Sequence, residues 1–562
     1  MENISPVVKK ILEKRGITEE DDIREFLSDR PQRTYDPFLL SDMREGVDLV
    51  LSAVDSDENI CIYGDYDTDG ITSISILFEV LTEVIVQAHS KSRLSYYIPS
   101  RFTEGYGLNN EAIDKIKKDG AQMIITVDCG STSVDAVEHA KKEGLKILVT
   151  DHHNISDKQA DCLIINPKRK DDTYPCKDLA GCGVAFKLAQ ALQRASGISR
   201  STLNRTLDLV AVGTVGDIVP LTDENRTIVK YGLAVIRKGE REGLRDLIGA
   251  ISLEPSTVGS EEIAFGIVPN LNSTGRMDTA TWGVRLMLAA SRQRSIQMAD
   301  KITGFNDDRK YVQKKAFEKC CEIVERDLAD KDMLIIDAGD IHEGIAGIVA
   351  GNIKEQYEKP TIILMDSEES VKGTGRSIGE MDLYETLHRH AELFTKFGGH
   401  KKACGFSLDK EKVAEFISAM DEDVAKQLEE NPELFREDTI VDAVIVPREA
   451  TLDLYDQIVK LEPFGCGNPQ PVFRMEDVTV KWPKRIGADG TSASFAVYGK
   501  ENDRISCVLF RKADQFDECL RDGKHTDITG YLRKNIWKDR VSIQFVVENI
   551  SPHNGPDPGS VV

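Results

Sequence analysis

Short apolar runs alternate with helix-like patterns between residues 59 and 220, and this alternation is the clearest structural signal in the chain. Four of the runs have the length and the β-branched composition of buried strands, and they cover residues 60–63, 123–127, 147–149 and 163–165. A helical pattern follows the first run, over residues 71–86. Strands that alternate with helices in this way predict a parallel, doubly wound sheet.

Changes in the same pattern divide the chain into seven predicted segments. They are a helical segment at 1–50, a parallel-sheet domain at 51–280, a connecting helix at 281–330, a smaller α/β domain at 331–425, a linker at 426–473, a β-rich domain at 474–550 and a disordered tail at 551–562. The β-rich domain contains five strand-like runs, which fits a small barrel of the OB type. The predicted fold class is therefore α/β, with two lobes joined by a long helix and followed by a β-barrel.

Acidic and imidazole side chains come directly after the predicted strands. Three strand ends are followed by Asp65, Asp67, Asp69, Asp128, His152 and His153, and a predicted helix is followed by Asp217. Because ligands bind where the carboxyl ends of parallel strands meet, we expect these groups to converge. Carboxylate oxygens with one or two imidazoles suit Mn²⁺ or Mg²⁺. A pair of such ions can catalyse phosphodiester hydrolysis.

Two other interpretations apply to the aspartate triplet. Its spacing matches the first half of an EF-hand calcium loop, but position twelve of that loop requires a glutamate, and here it is Ile76. A solvated acidic turn is the second interpretation. Three aspartates at alternate positions repel one another, however, and a divalent cation removes that cost. Asp128 or Asp217 alone would be an ordinary polar residue, and either histidine could contact a phosphate or support a ligand instead.

The overall charge argues against broad electrostatic binding of nucleic acid. The 562 residues carry a net charge of −23, whereas nucleic acid favours a basic face. Residues 474–550 differ, since they hold fourteen Lys/Arg and twelve Asp/Glu, a difference of +2. The eleven cysteines form no C-x-x-C pair, which favours free thiols. No run is long enough to span a membrane and no signal peptide is evident, so we expect a cytoplasmic protein.

Further basic and aromatic groups are candidates for contact with a nucleic acid. Two glycine-rich segments, 373–377 and 397–400, are interpreted as turns whose amides and arginine could approach phosphate oxygens, although each could be only a turn. Phosphate-contacting candidates are Arg101, Arg276, Arg376, Ser377, Gly399 and His400; the arginines could instead be surface ion-pair partners. Stacking candidates on the barrel are Tyr498, Phe510, Tyr531 and Trp537, a pattern that fits base stacking, although many barrel aromatics must belong to the core.

Taken together, these motifs resemble those of the DHH phosphoesterases and, more specifically, of the RecJ family of exonucleases. The resemblance is carried by residues 63–70, 101–109, 127–130, 150–153, 179–186, 215–217, 272–277, 342–350 and 462–469. It extends from about residue 7 to 550. Two departures are Cys404 and Gly216, where alanine is expected, and neither removes a predicted ligand.

The resemblance implies a clefted, two-metal enzyme that hydrolyses single-stranded DNA in the 5′→3′ direction to 5′-mononucleotides. The implied metal ligands are Asp67, Asp69, Asp128, His152 and Asp217, with Asp128 bridging and with Asp65 and His153 as close neighbours. The resemblance also implies two Mn²⁺ or Mg²⁺ ions and a role in DNA repair and recombination. It further implies partnership with a single-stranded-DNA-binding protein and a helicase. We take a monomer as the default oligomeric state.

Two rival functions remain open at the level of sequence. A short-RNA or cyclic-dinucleotide phosphodiesterase of the same superfamily typically lacks an OB domain, which disfavours it here. A catalytically inactive scaffold would show damaged ligand positions, whereas all seven are present.

Overall fold

The computed structural model describes residues 4–155, 158–367, 370–436, 440–488, 490–537 and 540–553, without the side chain of Trp537. Most of the predicted disordered tail, residues 554–562, therefore lies outside the described residues. Two short helices come first in the chain, α1 (Pro6–Lys14) and α2 (Glu20–Leu27). No helix in these ranges combines the length and the apolar character needed to cross a bilayer.

The first lobe is built on a five-stranded parallel sheet with the order β2-β1-β3-β4-β5. Its strands are β1 (Ile60–Gly64), β2 (Leu94–Tyr97), β3 (Met123–Val127), β4 (Lys146–Thr150) and β5 (Leu163–Ile165). β1 and β3 are buried along their whole length, as expected for central strands covered on both faces. The predicted parallel sheet is confirmed, and β2 is a strand that the sequence pattern missed.

Helices cover both faces of this sheet, and separate apolar cores lie on its two sides. The helices of the lobe are α3 (Met43–Asp55), α4 (Thr68–Gln87), α5 (Asn110–Lys118), α6 (Val134–Lys142), α7 (Gly181–Ser196), α8 (Arg200–Arg205), α9 (Leu207–Gly216), α10 (Asp223–Ile236), α11 (Glu242–Ala250), α12 (Ser260–Glu262), α13 (Val268–Met277) and α14 (Thr281–Met287). A π-helical turn, Ile263–Ile267, joins α12 to α13.

A long helix, α15 (Arg292–Ile323), leads from the first lobe to the second and continues into a π-helical turn at Val324–Leu328. Its early turns pack on α11 and α13. Its later turns contribute Ala316 and Cys320 to the core of the second lobe. The predicted connecting helix is therefore present.

The second lobe contains a mixed five-stranded sheet with the order β6-β7-β8-β10-β9. Its elements are β6 (Leu334–Asp337), α16 (Glu343–Tyr357), β7 (Thr361–Asp366), β8 (Val371–Arg376), α17 (Leu383–His388), β9 (Phe394–His400), β10 (Ala403–Leu408) and α18 (Val413–Glu430). The interpretation of 373–377 and 397–400 as turns was wrong, since these segments lie largely on β8 and β9. Gly373 is needed for packing, because an added Cβ would lie 2.1 Å from the Phe406 ring.

The C-terminal strands close into a five-stranded barrel through pairing of β12 with β15. The elements are β11 (Ala443–Val444), α19 (Leu452–Val459), β12 (Phe473–Ile486), β13 (Ser492–Tyr498), β14 (Arg504–Leu509), β15 (His525–Trp537) and β16 (Arg540–Pro552). This barrel confirms the predicted OB-type domain. Its core also includes Leu454 and Ile458 of α19 and the buried face of α1, so the barrel packs against helices from both the predicted linker and the first segment.

Candidate metal centre

The three aspartates of the first motif lie where β1 passes into α4. Asp65 is buried just after the strand. Asp67 is the N-cap of α4, where one of its oxygens accepts hydrogen bonds from the backbone amides of Asp69 and Gly70. The helix begins at Thr68 rather than at the predicted Ile71, so Asp69 lies in its first turn.

The start of α7 fixes the Asp69 carboxylate. The backbone amides of Gly181 and Cys182 donate to its two oxygens at 2.6 and 2.8 Å. A helix N-terminus carries partial positive charge and stabilises a nearby anion. The segment 179–186, which the sequence indicates only through the family resemblance, therefore has a physical role in the site.

His152 lies at the centre of the cluster. Its Nε2 is 3.1 Å from an oxygen of Asp128 and 3.8 Å from one of Asp69, and its Nδ1 is 3.5 Å from an oxygen of Asp217. Asp128 follows β3 in a left-handed backbone conformation, with φ of 60°. The first turn of α4, the ends of β3 and β4 and the C-terminus of α9 thus bring four predicted residues together.

His153 points to a second set of partners. Its Nδ1 lies 2.8 Å from Asp151, and the Tyr106 hydroxyl is 3.2 Å from the same nitrogen. The Tyr106 hydroxyl also donates to the backbone carbonyl of Asp128 at 3.3 Å. Asp151 and Tyr106 were not among the predicted site residues, although both lie within motif segments, 150–153 and 101–109.

All seven predicted residues belong to groups whose ligand atoms lie within 4.8 Å of one another. The groups are Asp65 with Asp67 and Asp128, Asp69 with His152 and Asp217, and Asp128 with His152 and His153. Within the described residues, four buried atoms of this cluster have no hydrogen-bond partner, namely one oxygen each of Asp65 and Asp217 and both ring nitrogens of His152. Buried polar atoms are normally satisfied, so this donor set fits divalent cations of the Mn²⁺ or Mg²⁺ type.

Burial and mutual repulsion shift the pKa values of the cluster. Burial and then the Asp67 charge raise the pKa of Asp65 to about 8, and burial and then the Asp69 charge raise that of Asp217 to about 9. Burial and the neighbouring carboxylates raise the pKa of Asp128 well above its usual value. Burial lowers the pKa of His152 to about 4, which keeps the imidazole neutral and able to donate a lone pair to a metal.

Two predicted phosphate-contacting arginines lie on the first lobe. Arg101 packs over the Tyr66 ring, with 5.0 Å between the guanidinium carbon and the ring centroid. Arg276 donates to the carbonyl of Gly344 at 2.6 Å, at the start of α16. The two lobes therefore touch beside the aspartate motif.

The remaining phosphate candidates lie on the second lobe. Arg376 also contacts α16, near Gly347: a Cβ atom added to this glycine would lie 2.6 Å from Nη2 of Arg376. Arg276 and Arg376 therefore both lie against the first turns of α16. Ser377 is buried and donates its hydroxyl to the carbonyl of Met381. Gly399 and His400 are exposed at the end of β9.

The stacking candidates differ in how accessible they are. Phe510 is exposed and Arg533 lies over its ring at 5.2 Å, whereas Tyr498 and Tyr531 are half-buried. The side chain of Trp537 lies outside the described residues. Trp482 was not among the predicted stacking residues. Its ring is exposed and packs edge-on against Tyr498, with ring centroids 5.6 Å apart. The lysines that neighbour Trp482 in the sequence could have marked it as a stacking candidate.

Three family models match successive parts of the chain. They are the DHH family, N-terminal domain (residues 59–214), the DHHA1 domain (330–426) and the RecJ OB domain (441–549). The single-stranded-DNA-specific exonuclease RecJ of Bacillus subtilis is 34% identical over 97% of this chain and 68% of its own length. The Escherichia coli enzyme of the same name is 31% identical over 84% of this chain and 83% of its own. The chain belongs to the RecJ family.

Solved structures agree with this assignment. The crystal structure of RecJ with Mn²⁺ from Thermus thermophilus superposes with a TM-score of 0.82 at 24% identity, covering 99% of this chain and 76% of that one, which supports the fold. A manganese-bound exonuclease RecJ matches with a TM-score of 0.59 at 28% identity, over 69% of this chain and 95% of that one. As a RecJ-family member with this donor set, the protein is a metal-dependent nuclease, and the predicted Mn²⁺ or Mg²⁺ cofactor is confirmed.

Proposed function

We propose that this RecJ-family protein is a 5′→3′ exonuclease that hydrolyses single-stranded DNA to 5′-mononucleotides during DNA repair and recombination. The observation that carries the proposal is the convergence of all seven predicted acidic and imidazole side chains at one edge of the sheet. The relatives named above as single-stranded-DNA-specific exonucleases support the choice of substrate.

Five residues are proposed as ligands of two divalent cations. They are Asp67, Asp69, Asp128, His152 and Asp217, with Asp128 bridging and Asp65 ligating directly or through water. When bound, such cations lower the pKa of water and offset negative charge on phosphoryl oxygens. The chain itself orients this cluster: the α7 amides hold the ligand Asp69, and Asp151 holds the neighbouring residue His153.

Basic groups beside the ligands are proposed to hold the 5′ end of the strand. Arg101, Arg276 and Arg376 can donate paired hydrogen bonds to phosphate oxygens, and His400 and the Gly399 amide lie exposed at the end of β9. Burial lowers the pKa of Arg276 to about 10, so this guanidinium is poorly solvated and gains from an anionic partner. To donate a hydrogen bond to a phosphate oxygen, the Ser377 hydroxyl would have to give up its hydrogen bond to the Met381 carbonyl.

The barrel is proposed to guide the rest of the strand. Tyr498, Phe510 and Tyr531, together with Trp537, are candidates for stacking on bases, a mode of contact that tolerates any sequence. We also propose that the protein acts as a monomer, in partnership with a single-stranded-DNA-binding protein and a helicase.

A substrate comparison tests the proposal. The full chain is given Mn²⁺ and three 5′-labelled substrates: single-stranded DNA, duplex DNA and a short RNA. We expect a labelled mononucleotide as the first product from single-stranded DNA, and little cleavage of the duplex. Release of label only in longer fragments would contradict the 5′ polarity, and preference for short RNA would favour the rival phosphodiesterase.

Substitution of the proposed bridging ligand tests the metal centre. Asp128→Ala should abolish hydrolysis while much of the DNA binding remains, because the basic groups are untouched. Asp135→Ala, an exposed aspartate in the first turn of α6, is the matched control and should retain normal activity. An active Asp128→Ala variant would refute the bridging assignment.

A further inference from the structure

A cavity of about 300 Å³ lies where the first helices, the first lobe and the barrel domain meet. Its walls come from the segment after α1, from α2, from the first turn of α10 and from the loop that contains Gly467 and Asn468. This loop belongs to the 462–469 motif that the metal centre does not use. A volume of this size is at the lower end of small-molecule sites in proteins.

One wall of the cavity carries a buried positive charge. Arg226 is only 3% exposed, and its two terminal nitrogens donate to the backbone carbonyls of Leu461, Phe26 and Lys460. Among the described residues its Nε has no hydrogen-bond partner and no carboxylate lies within ion-pair distance of it. A buried cation is costly unless it is paired.

Arg15 adds a second cation to the same wall. Its terminal nitrogens donate to the Asn468 side chain and to the carbonyl of Pro469, whereas its buried Nε finds no partner among the described residues. Burial, and then the charge of Arg15, lower the pKa of Arg226 to about 9. The two guanidiniums therefore repel each other and would both gain from an anion.

The acidic residues of the cavity are already engaged elsewhere. Asp22 pairs with Arg33 at 2.6 Å, and Asp223 accepts a hydrogen bond from the Tyr35 hydroxyl at 2.9 Å. Glu25 accepts from two backbone amides. The carboxylates thus occupy one side of the cavity. On the other side, Arg226 lies over the Phe26 ring at 3.7 Å, and burial lowers the pKa of Arg15 by more than the Asp442 charge raises it. Within the described residues, no carboxylate forms an ion pair with either guanidinium.

The start of α10 lies on the cavity too. This helix has 14 residues, and the side chain of its N-cap, Thr222, makes no capping hydrogen bond. A helix N-terminus attracts phosphate groups through its partial positive charge. Between the charged walls, Ile17, Phe26 and Pro31 supply apolar surface.

We propose that this cavity binds a small phosphate-bearing anion of the nucleoside monophosphate type. The phosphate would lie between Arg15, Arg226 and the start of α10, and the base would pack on the apolar surface. Thr222 stands five positions after Asp217, so the ligand would join the barrel loop to the segment that carries a metal-site residue.

Calorimetric titration of the metal-free full chain with deoxyadenosine monophosphate tests this site without any contribution from catalysis. Wild-type protein should bind one equivalent, and Arg15→Gln should weaken binding by about tenfold or more, because a charged hydrogen-bonding partner is lost. The matched control is Lys238→Gln, which removes a cation from a different cavity and should leave the affinity unchanged. Arg376→Gln, in the proposed 5′-end site, reports any binding of the nucleotide there instead.

Hydrogen exchange locates the ligand independently. On addition of the nucleotide, protection should rise in residues 222–227 and 463–469. The proposal is overturned if wild-type protein shows no saturation at millimolar ligand, if Arg15→Gln binds as tightly as wild type, or if Arg376→Gln abolishes binding and the protection appears in β9 and β10.

Discussion

Asp151 belongs to none of the groups that could hold an ion, yet it orders the residues that do. Its carboxylate accepts hydrogen bonds from the backbone amides of Ser131, His152 and His153 and from the His153 ring. Burial alone would raise the pKa of Asp151. The hydrogen bonds from the His153 ring and from the Ser131 amide outweigh burial, so the pKa of Asp151 lies below its usual value. An ionised aspartate therefore fixes the orientation of His153.

We expect Asp151→Asn to reduce the rate of hydrolysis about 10–100-fold, the usual cost of losing a residue that orients a metal site. Affinity for single-stranded DNA should change little, because no proposed phosphate contact is removed. Single-turnover rates and a filter-binding assay measure the two quantities. The control is Asp114→Asn, which removes the partner of His139 on the surface of the same lobe; equal loss in both variants would contradict an orienting role.

The raised pKa values make stability depend on pH in the metal-free protein. Asp65 and Asp217, with folded pKa values of about 8 and 9, bind protons in the folded state that the unfolded chain has released above about pH 4. The free energy of unfolding should therefore fall as pH rises from about 4 to 9. Mn²⁺ should remove this decrease in the free energy of unfolding, because the cation offsets the repulsion between the carboxylates.

Thermal unfolding at pH 5, 7 and 9, in EDTA and in Mn²⁺, measures this dependence. Asp217→Asn should flatten the slope in EDTA and reduce the stabilisation by Mn²⁺. If wild type and Asp217→Asn show the same slope in EDTA, the carboxylates do not repel in the way the geometry indicates.

At the scale of elements, four of the five strands of the first lobe were predictable because each satisfies a local pattern, whereas β2 was not. Two further features, one in each lobe, were also not predictable. The start of α4 depends on Asp67 as N-cap, and the aspartate was interpreted only as a ligand. The β8 and β9 segments were interpreted as turns from their glycines, whereas Gly373 is required by the Phe406 ring across the sheet, a contact between positions 33 apart that carries no local signal.

The contact between α7 and the metal centre gives a prediction at this scale. A Cβ on Gly181 would lie 2.7 Å from the Asp128 Cβ and 2.8 Å from an Asp69 oxygen. Gly181→Ala should therefore displace the cluster and weaken Mn²⁺ binding and hydrolysis by at least about tenfold, whereas Gly183→Ala, whose nearest neighbour is the Leu179 side chain at 3.4 Å, should be nearly neutral. Isothermal titration with Mn²⁺ and a nuclease assay provide the measurements, and equal behaviour of the two variants would show that α7 tolerates a side chain at position 181.

For the molecule as a whole, the order of domain types was predictable from the sequence, but the way in which distant segments meet was not. The residues of α1 show an amphipathic pattern, but nothing local says which surface covers it. In the structure Val8, Ile11 and Leu12 are buried with the barrel core. Likewise, the seven residues of the candidate metal centre could be named from motifs, whereas the supporting positions of Tyr106 and the α7 amides required the fold.

Because α1 completes the barrel core, Leu12→Ala should destabilise the barrel by about 2–5 kcal/mol, the usual cost of truncating a fully buried leucine. Lys9→Ala, on the exposed face of the same helix, should change stability by less than about 0.5 kcal/mol. Urea unfolding followed by limited proteolysis of the barrel measures the difference. Similar midpoints for the two variants would mean that α1 does not stabilise the barrel.

The position of α1 also has a consequence for synthesis of the chain. The Ser5 amide donates to the Gln457 side chain, and the two residues are 452 positions apart. At about 5–20 residues per second, a ribosome needs roughly 20–90 s to translate that interval. The apolar face of this helix would therefore stay uncovered on the nascent chain for most of translation, which makes it a natural point of attachment for chaperones.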